Sequence, residues 1–296
     1  MDDGPPPSLC DEVARTAIAT AVSRVIESGR GDRLFDDPLA GRFVAAAGQG
    51  AALPSQESRH PAGLDGFWSW FAHFAPVRTR FFDDCAREAC AAGCRQVVIL
   101  AAGLDARAFR IGWPPGVRLF ELDRPDVLEF KNWVVDREGA VPRCSRATVA
   151  ADLARDWAPA LRDAGLRPQQ PTFWLAEGLM AYLTIDQRDE VRDAVDGLSA
   201  PGSVFAVEYV SRAAVDLVMR LAGDPPGFGL DLWEPGSPED GVRWFARRGW
   251  QAVASDANER AARYGRPTPA FSDPAIARML GEGPVATDSV IVGTRP

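Results

Sequence analysis

From Gln96 onward, short continuous aliphatic runs alternate with stretches whose apolar residues recur at helical spacing; before Gln96 only the helical pattern occurs. A buried parallel strand reads as an unbroken aliphatic run, and an amphipathic helix as a stripe at i, i+3, i+4 and i+7. The pattern predicts strands over Gln96–Leu100, Val117–Leu122, Ala147–Ala150, Thr172–Ala176, Ser203–Tyr209, Trp250–Ala254 and Asp288–Gly293. Between them it predicts a helix from Pro125 carrying Val127, Leu128, Phe130, Val134 and Val135, and helices over Asp156–Ala164, Asp186–Leu198 and Pro238–Arg248. Strands alternating with helices argue for βαβ units and an α/β fold with a mostly parallel sheet. The late pair of strands fits a sheet whose final strand inserts antiparallel.

Ahead of the first strand, Ala14, Ala17, Ile18, Ala21, Val22 and Val25 mark a helix from Asp11 that stops near Gly29-Arg30-Gly31. A short helix is expected directly after Asp36-Asp37-Pro38, with the acid at the cap and proline at the first position. Residues 1–10 read as a disordered leader and 45–66 as a loop. Phe67, Trp70, Phe71 and Phe74 form an aromatic stripe that either packs in the core or walls a pocket for a flat apolar substrate. His73 falls off that stripe, at the surface or a cap. Pro76 is expected to end this helix and start another running to Gly93, which puts Arg78 and Arg80 within about a turn of its beginning. Residues 211–240 read as an insertion, a helix through Ala213, Leu217, Val218 and Leu221 followed by a Gly/Pro-rich loop with Asp231-Leu232-Trp233.

Composition narrows the partners more than the fold. With 296 residues and 46% hydrophobic content, one elaborated domain is the default. A net charge of −8 disfavours a broad phosphate-binding face, so nucleic acid is not an expected partner. The first residues lack a basic start and apolar core, and no apolar run approaches the roughly 18 residues that span a bilayer. A cytoplasmic location without membrane contact is expected. Five cysteines, Cys10, Cys85, Cys90, Cys94 and Cys144, show neither C-x-x-C nor zinc spacing, and no metal site is expected.

The candidate chemistry lies where strands end. Val97-Val98-Ile99-Leu100 breaks into Ala101-Ala102-Gly103-Leu104-Asp105-Ala106-Arg107, and Asp123 closes the next strand about twenty residues later. Small residues let a ligand approach the backbone, and an acid at that place can accept from ribose hydroxyls. An ordinary tight turn explains the first stretch equally well, because G-x-G-x-x-G is absent. Asp152 and Glu177 also stand just beyond strand ends. Each alone reads as a solvated loop acid, but three acids on the ligand-binding edge of an open sheet point to a cofactor site.

These segments resemble the leucine carboxyl methyltransferase family of class I S-adenosylmethionine-dependent methyltransferases, specifically its bacterial polyketide-tailoring, tetracenomycin-type branch. The resemblance rests on Arg-Thr-Arg-Phe-Phe-Asp-Asp (78–84), Val-Val-Ile-Leu-Ala-Ala-Gly-Leu-Asp-Ala-Arg-Ala-Phe-Arg (97–110), Phe-Glu-Leu-Asp-Arg-Pro (120–125), Ala-Asp-Leu (151–153) and Trp-Leu-Ala-Glu-Gly-Leu-Met-Ala-Tyr-Leu (174–183). It extends from about Thr16 to Arg-Gly-Trp at 248–250. It implies a Rossmann-like, seven-stranded sheet in one domain over 11–296: a helical lid (11–75), a cofactor-binding core (76–210), a substrate-side insertion (211–240) and the C-terminal part of the sheet (241–296). It further implies that Arg78 binds the carboxylate of the cofactor's methionine moiety, with Ala101–Gly103 passing beneath it. By the same resemblance Asp123 holds the ribose hydroxyls, Asp152 and Leu153 flank the adenine, and Glu177 lies near the methionine amino group. Ala101 stands where many relatives carry glycine.

The reaction this implies is O-methylation by direct displacement, with S-adenosylmethionine as cofactor. A carboxylate, of reference pKa about 4, is already ionised at neutrality, whereas a hydroxyl needs a base. His60 and His73 are the only histidines and neither falls at a strand end, which favours methyl ester formation on a carboxylate-bearing small molecule of secondary metabolism. Tyr182 is the candidate for orienting the substrate oxygen. A hydroxyl acceptor and a protein C-terminal carboxylate remain alternatives. An NAD-dependent oxidoreductase shares the sheet and the ribose acid but lacks its glycine fingerprint and a Tyr-x-x-x-Lys pair; a non-catalytic S-adenosylmethionine-binding protein is the other alternative.

Overall fold

The computed structural model of the chain describes residues 6, 7, 9, 12–48, 65–155, 157–212, 215–216, 234–266 and 289–296. Seven strands form one sheet: β1 (Gln96–Leu100), β2 (Arg118–Asp123), β3 (Ser145–Ala150), β4 (Thr172–Ala176), β5 (Val204–Tyr209), β6 (Gln251–Asp256) and β7 (Ser289–Thr294). Their order is β3-β2-β1-β4-β5-β7-β6. The first five run parallel, and β7 enters antiparallel to both β5 and β6. The order reverses between β1 and β4, and such a switch point is where an open α/β sheet leaves a crevice at the carboxyl ends of its strands.

β1 and β4 are buried along their whole length, as their unbroken apolar runs require. Alternate residues face two cores. Val97, Ile99 and Leu119 pack with α1 (Glu12–Ser28), α2 (Ala40–Ala46), α3 (Asp65–Ala91) and α5 (Pro125–Arg137). Val98, Leu100, Phe120 and Trp174 pack with α6 (Ala158–Asp163), α7 (Ile185–Gly197) and α8 (Pro238–Arg247). The N-terminal helices are therefore anchored to the sheet: Ala21 and Val22 of α1 and Phe43 and Val44 of α2 lie inside the first core. A side chain as fully buried as Phe43 contributes about 1.5–3 kcal/mol.

Strand ends differ from the sequence reading by one or two residues, but two helices differ in kind. α3 runs unbroken through Pro76, so no second helix starts there, and Arg78 sits near its middle. Proline removes one main-chain hydrogen bond at a cost of about 3 kcal/mol. Phe74, Ala75 and Val77 are buried on both sides of it, and α3 packs against α1, β4 and β5. The boundary between 11–75 and 76–210 thus falls inside one helix. α2 begins at Ala40, two residues later than Pro38 would place it. Asp37 still caps the turn, because its Oδ1 accepts from both Leu39 N–H and Ala40 N–H.

Three short elements had no periodic signal: α4 (Arg107–Arg110), a single 3-10 turn over Met180–Tyr182 and α9 (Ala257–Arg263). Most of the 1–10 leader and of the 45–66 loop, His60, the side chains of Phe67 and Trp70, and residues 217–233 of the insertion with Asp231-Leu232-Trp233 lie outside the described residues. No helix among the described residues is long and apolar enough to cross a membrane.

Candidate functional site

At the carboxyl edge of β1, β2, β3 and β4, a cavity of about 330 Å³ opens beneath α1, a volume within the range of small-molecule sites. Arg78, Ala101, Gly103, Asp123, Asp152, Leu153, Glu177 and Tyr182, all nominated from the sequence, border it.

The floor follows directly from β1. Past Leu100 the chain keeps one more parallel bond, Ala102 N–H to the Leu122 carbonyl at 3.0 Å, and then turns back as Asp105 N–H bonds the Ala102 carbonyl. This turn needs left-handed backbone at Ala101 (φ 51°) and Gly103 (φ 45°). Among the described residues Ala101 is the only non-glycine with positive φ, a conformation that costs an L-residue about 1–2 kcal/mol. A Cβ on Gly103 would lie 3.5 Å from Ala17 Cβ, an ordinary contact. Conformation, not space, demands glycine there.

Asp123, the last residue of β2, clasps the turn: Oδ2 accepts from Gly103 N–H at 2.6 Å and Oδ1 from Arg124 N–H at 2.7 Å. Burial nevertheless pushes its pKa above the usual value, against both bonds. Asp152, two residues past β3, is exposed and accepts from Ala154 N–H at 2.9 Å; Leu153 beside it packs on the second core. Tyr182 is half-buried on the 3-10 turn and packs against a small cluster of Ala181, Val210 and Val215.

Beneath the cavity lies a charged network that few of these positions announced. Glu177 takes Arg78 Nε at 3.0 Å on one oxygen and Arg107 Nη1 at 2.8 Å on the other. Burial works to raise its pKa, but Arg107 and Arg78 outweigh it and hold the carboxylate below its ordinary value. Arg78 also reaches Glu208 at 2.7 Å, whose second oxygen accepts from Gly178 N–H. Arg107 is buried among carboxylates, bonded to Asp83 at 2.8 Å and to Asp105 as well as Glu177. Arg110 closes the group on Asp83. Asp105 resists the desolvation that would raise its pKa: Arg107 in first place, then Lys131, Arg110 and Arg24, bring it down to about 2.

Sequence reasoning missed the contribution of α1. Thr16, Thr20 and Arg24 line the cavity, and Arg24 is buried, donating to the Leu104 carbonyl at 2.8 Å and pairing with Asp37 at 3.1 Å. Their spacing of four was a legible polar stripe on a helix read only for its apolar face. Asp105 and Gln187 also border the cavity. Arg107 lay inside the stretch that follows β1, but its burial and its partner Asp83 from α3 were not readable locally.

His73 is not a surface residue. It is half-buried, edge-on to Phe74 at 4.7 Å, with Nε2 buried and unpartnered, and burial followed by the charges of Arg266 and Arg30 lowers its pKa to about 4. It does not border the cavity, and no histidine or lysine among the described residues does. Chemically, the arrangement offers an acid for a diol, an apolar face at Leu153, an ionised carboxylate for a cation and an arginine for an anion. Four carboxylates and three arginines border it, a balance suited to a zwitterion with extra positive charge.

Comparison with known proteins bears on the family and the fold. The description of the leucine carboxyl methyltransferase family matches residues 17–196. A Parafrankia protein named for S-adenosyl-L-methionine-dependent methyltransferase activity is 47% identical over 87% of this chain and 83% of its own. A similarly named Frankia alni protein is 43% identical over 96% and 94%, and one from Streptomyces coelicolor 43% over 85% and 88%. Among solved structures, a DUF574-family protein of Streptomyces avermitilis superposes with a TM-score of 0.58 at 13% identity, over 94% of this chain and 97% of its own. A Thermobifida fusca protein assigned as a methyltransferase superposes with a TM-score of 0.53 at 17% identity, over 99% and 96%. These two show the shared fold.

Proposed function

The chain belongs to the leucine carboxyl methyltransferase family of S-adenosylmethionine-dependent methyltransferases, and from that premise we propose that it methylates a carboxylate oxygen of a small or medium apolar acid. The acceptor in this reading is a secondary metabolite such as a polyketide. S-adenosylmethionine is the cofactor of the family, and when bound it supplies a methyl group on a positively charged sulfur. The residues suit it: the cavity carries more carboxylates than arginines, and its turn lacks the glycines that a pyrophosphate needs for close approach.

The observation that carries the reading is the meeting of eight positions, separated by up to about a hundred residues of chain, around one cavity. Asp123 accepts the ribose hydroxyls with the lone pairs that Gly103 and Arg124 leave open. Leu153 flanks the adenine and Asp152 accepts from its amine. Glu177, kept ionised by Arg107 and Arg78, pairs with the ammonium. Arg78, braced by Glu177 and Glu208, faces the carboxylate. Ala101–Gly103 form the floor under the methionine moiety.

The preference for an acid rests on what borders the cavity. A carboxylate nucleophile arrives ionised, while a phenol of pKa about 10 needs a base, and no described lining residue is a histidine or lysine. Alignment and exclusion of water then remain for the protein to provide, with Tyr182 orienting the acceptor oxygen. Incubation with S-adenosylmethionine and matched pairs of aromatic acids and phenols tests this: base-labile methyl esters are expected. Methylation of the phenols with the acids untouched overturns it.

A further inference from the structure

Between α7 and α8, outside the cofactor cavity, lies a groove of about 530 Å³. Arg188 and Arg192 border it from α7, and Arg243, Arg247 and Arg248 from α8 and its C-terminal cap. Asp189, Asp193 and Asp240 are the only carboxylates among its described lining. Five guanidinium groups against three carboxylates line it, with Glu234 acting on Arg188 and Glu239 facing Arg243 from just outside, in a chain whose net charge is −8.

The cationic lining reaches below the surface. Arg188 is 4% exposed, and its bonds go to neutral carbonyls: Nε to Met180 at 2.7 Å, Nη1 to Pro235 at 3.2 Å and Nη2 to Glu234. Those three bonds fix the main chain, the charge of Glu234 acts on it without a direct ion pair, and two of its five N–H donors remain. A buried charge is ordinarily paired; burial lowers the pKa of Arg188 accordingly. Arg192, 6% exposed, bonds Asp189 and the Arg188 carbonyl. Arg243 and Arg248 pair with Asp240 and Asp193. Trp244 supplies an aromatic wall, with the Arg192 and Arg248 guanidinium carbons 5.4 and 4.7 Å from its ring centre and its own N–H buried without a partner.

We propose that this groove is a second binding site, for a small molecule bearing a phosphate group. A phosphate monoester carries about −1.5 to −2 charges at neutral pH, which suits a lining with more guanidinium groups than carboxylates. Its oxygens suit the planar donor fork of arginine.

The test is calorimetric titration of the full chain with inorganic phosphate and with glycerol 3-phosphate, at constant ionic strength and with chloride as the control. Saturable binding of at least one is expected, and a preference for glycerol 3-phosphate identifies an organic phosphate over the free ion. Arg243→Ala and Arg247→Ala, both at exposed positions, are each expected to weaken it about tenfold, the equivalent of one charge-assisted contact. Asp193→Asn, which removes competing negative charge without touching the core, is expected to tighten it. Arg155→Ala, remote from the groove, leaves it unchanged. Absence of saturable binding, or binding indifferent to the groove substitutions, overturns the proposal.

Discussion

The cofactor cavity and the α7–α8 groove are both built on buried arginines, yet they treat that charge in opposite ways. Under the cavity, Arg107 is enclosed by Asp83, Asp105 and Glu177, and Arg78 by Glu177 and Glu208. In the groove Arg188 bonds only carbonyls, with the Glu234 charge acting on it without a direct ion pair, and the lining carries more cations than acids. A network that neutralises its own charge fixes the shape of a site before the ligand arrives. A network left with surplus charge depends on its ligand to complete it. Rigid preorganisation fits a site for alignment, and a cation-rich lining fits one for recognition.

The sharpest way to break the comparison is to remove the two central arginines in turn. Arg107→Met leaves buried Asp105 without its ion-pair partner and takes one cation each from Asp83 and Glu177, and is expected to cost about 3–5 kcal/mol of stability in urea unfolding. Arg188→Met abandons neutral carbonyls, one of them on exposed Glu234 where water can replace the donor, and should cost only about 1–3 kcal/mol. Equal losses would show that the two arginines are not differently compensated.

Asp123→Ala comes next: on its proposed role at the ribose hydroxyls, the charge-assisted hydrogen bonds lost amount to about 2–3 kcal/mol of binding free energy for S-adenosylhomocysteine. Phosphate affinity in the groove should stay unchanged in the same variant. Titration of the folded mutant checks both.

Acid separates the regions by about 2 kcal/mol. Asp105 titrates at about 2 in the folded chain, below its ordinary value of 3.8. The folded state therefore binds that proton less readily than the unfolded one. The resulting stability is fully present above pH 4 and fades as pH falls towards 2. Asp105→Asn should flatten the stability profile between those limits. The Arg188 guanidinium stays charged across that range and contributes nothing to the slope.

The smallest effect concerns backbone strain. Ala101→Gly relieves the left-handed strain at φ 51° and is expected to raise stability by about 0.5–1 kcal/mol, after the extra freedom of glycine in the unfolded chain is subtracted. A loss of stability in thermal unfolding would mean that Ala101 packing outweighs its strain.

Much of the cavity was legible because its parts are tied to strand ends. Asp123, Asp152 and Glu177 fall where an aliphatic run stops, and parallel βαβ connection sends every such stop to one edge of the sheet. Pro76 shows the limit of local reading. Its missing hydrogen bond predicts a break, but burial of Phe74, Ala75 and Val77 keeps α3 whole. His73 was misplaced for the same reason, since its position off an apolar stripe said nothing about what covers it from elsewhere.

By itself the sequence determined the order of strands and helices and the side of the sheet on which the acids gather. These follow from side-chain periodicity and from the handed, parallel connection of neighbouring units. Tertiary structure alone decided that Thr16, Thr20 and Arg24 roof the cavity, that Asp83 of α3 reaches Arg107 after β1, and that Arg188 is left among carbonyls. Such pairings join residues from elements distant in the chain, and a buried charge acquires its meaning from the partners that packing brings to it.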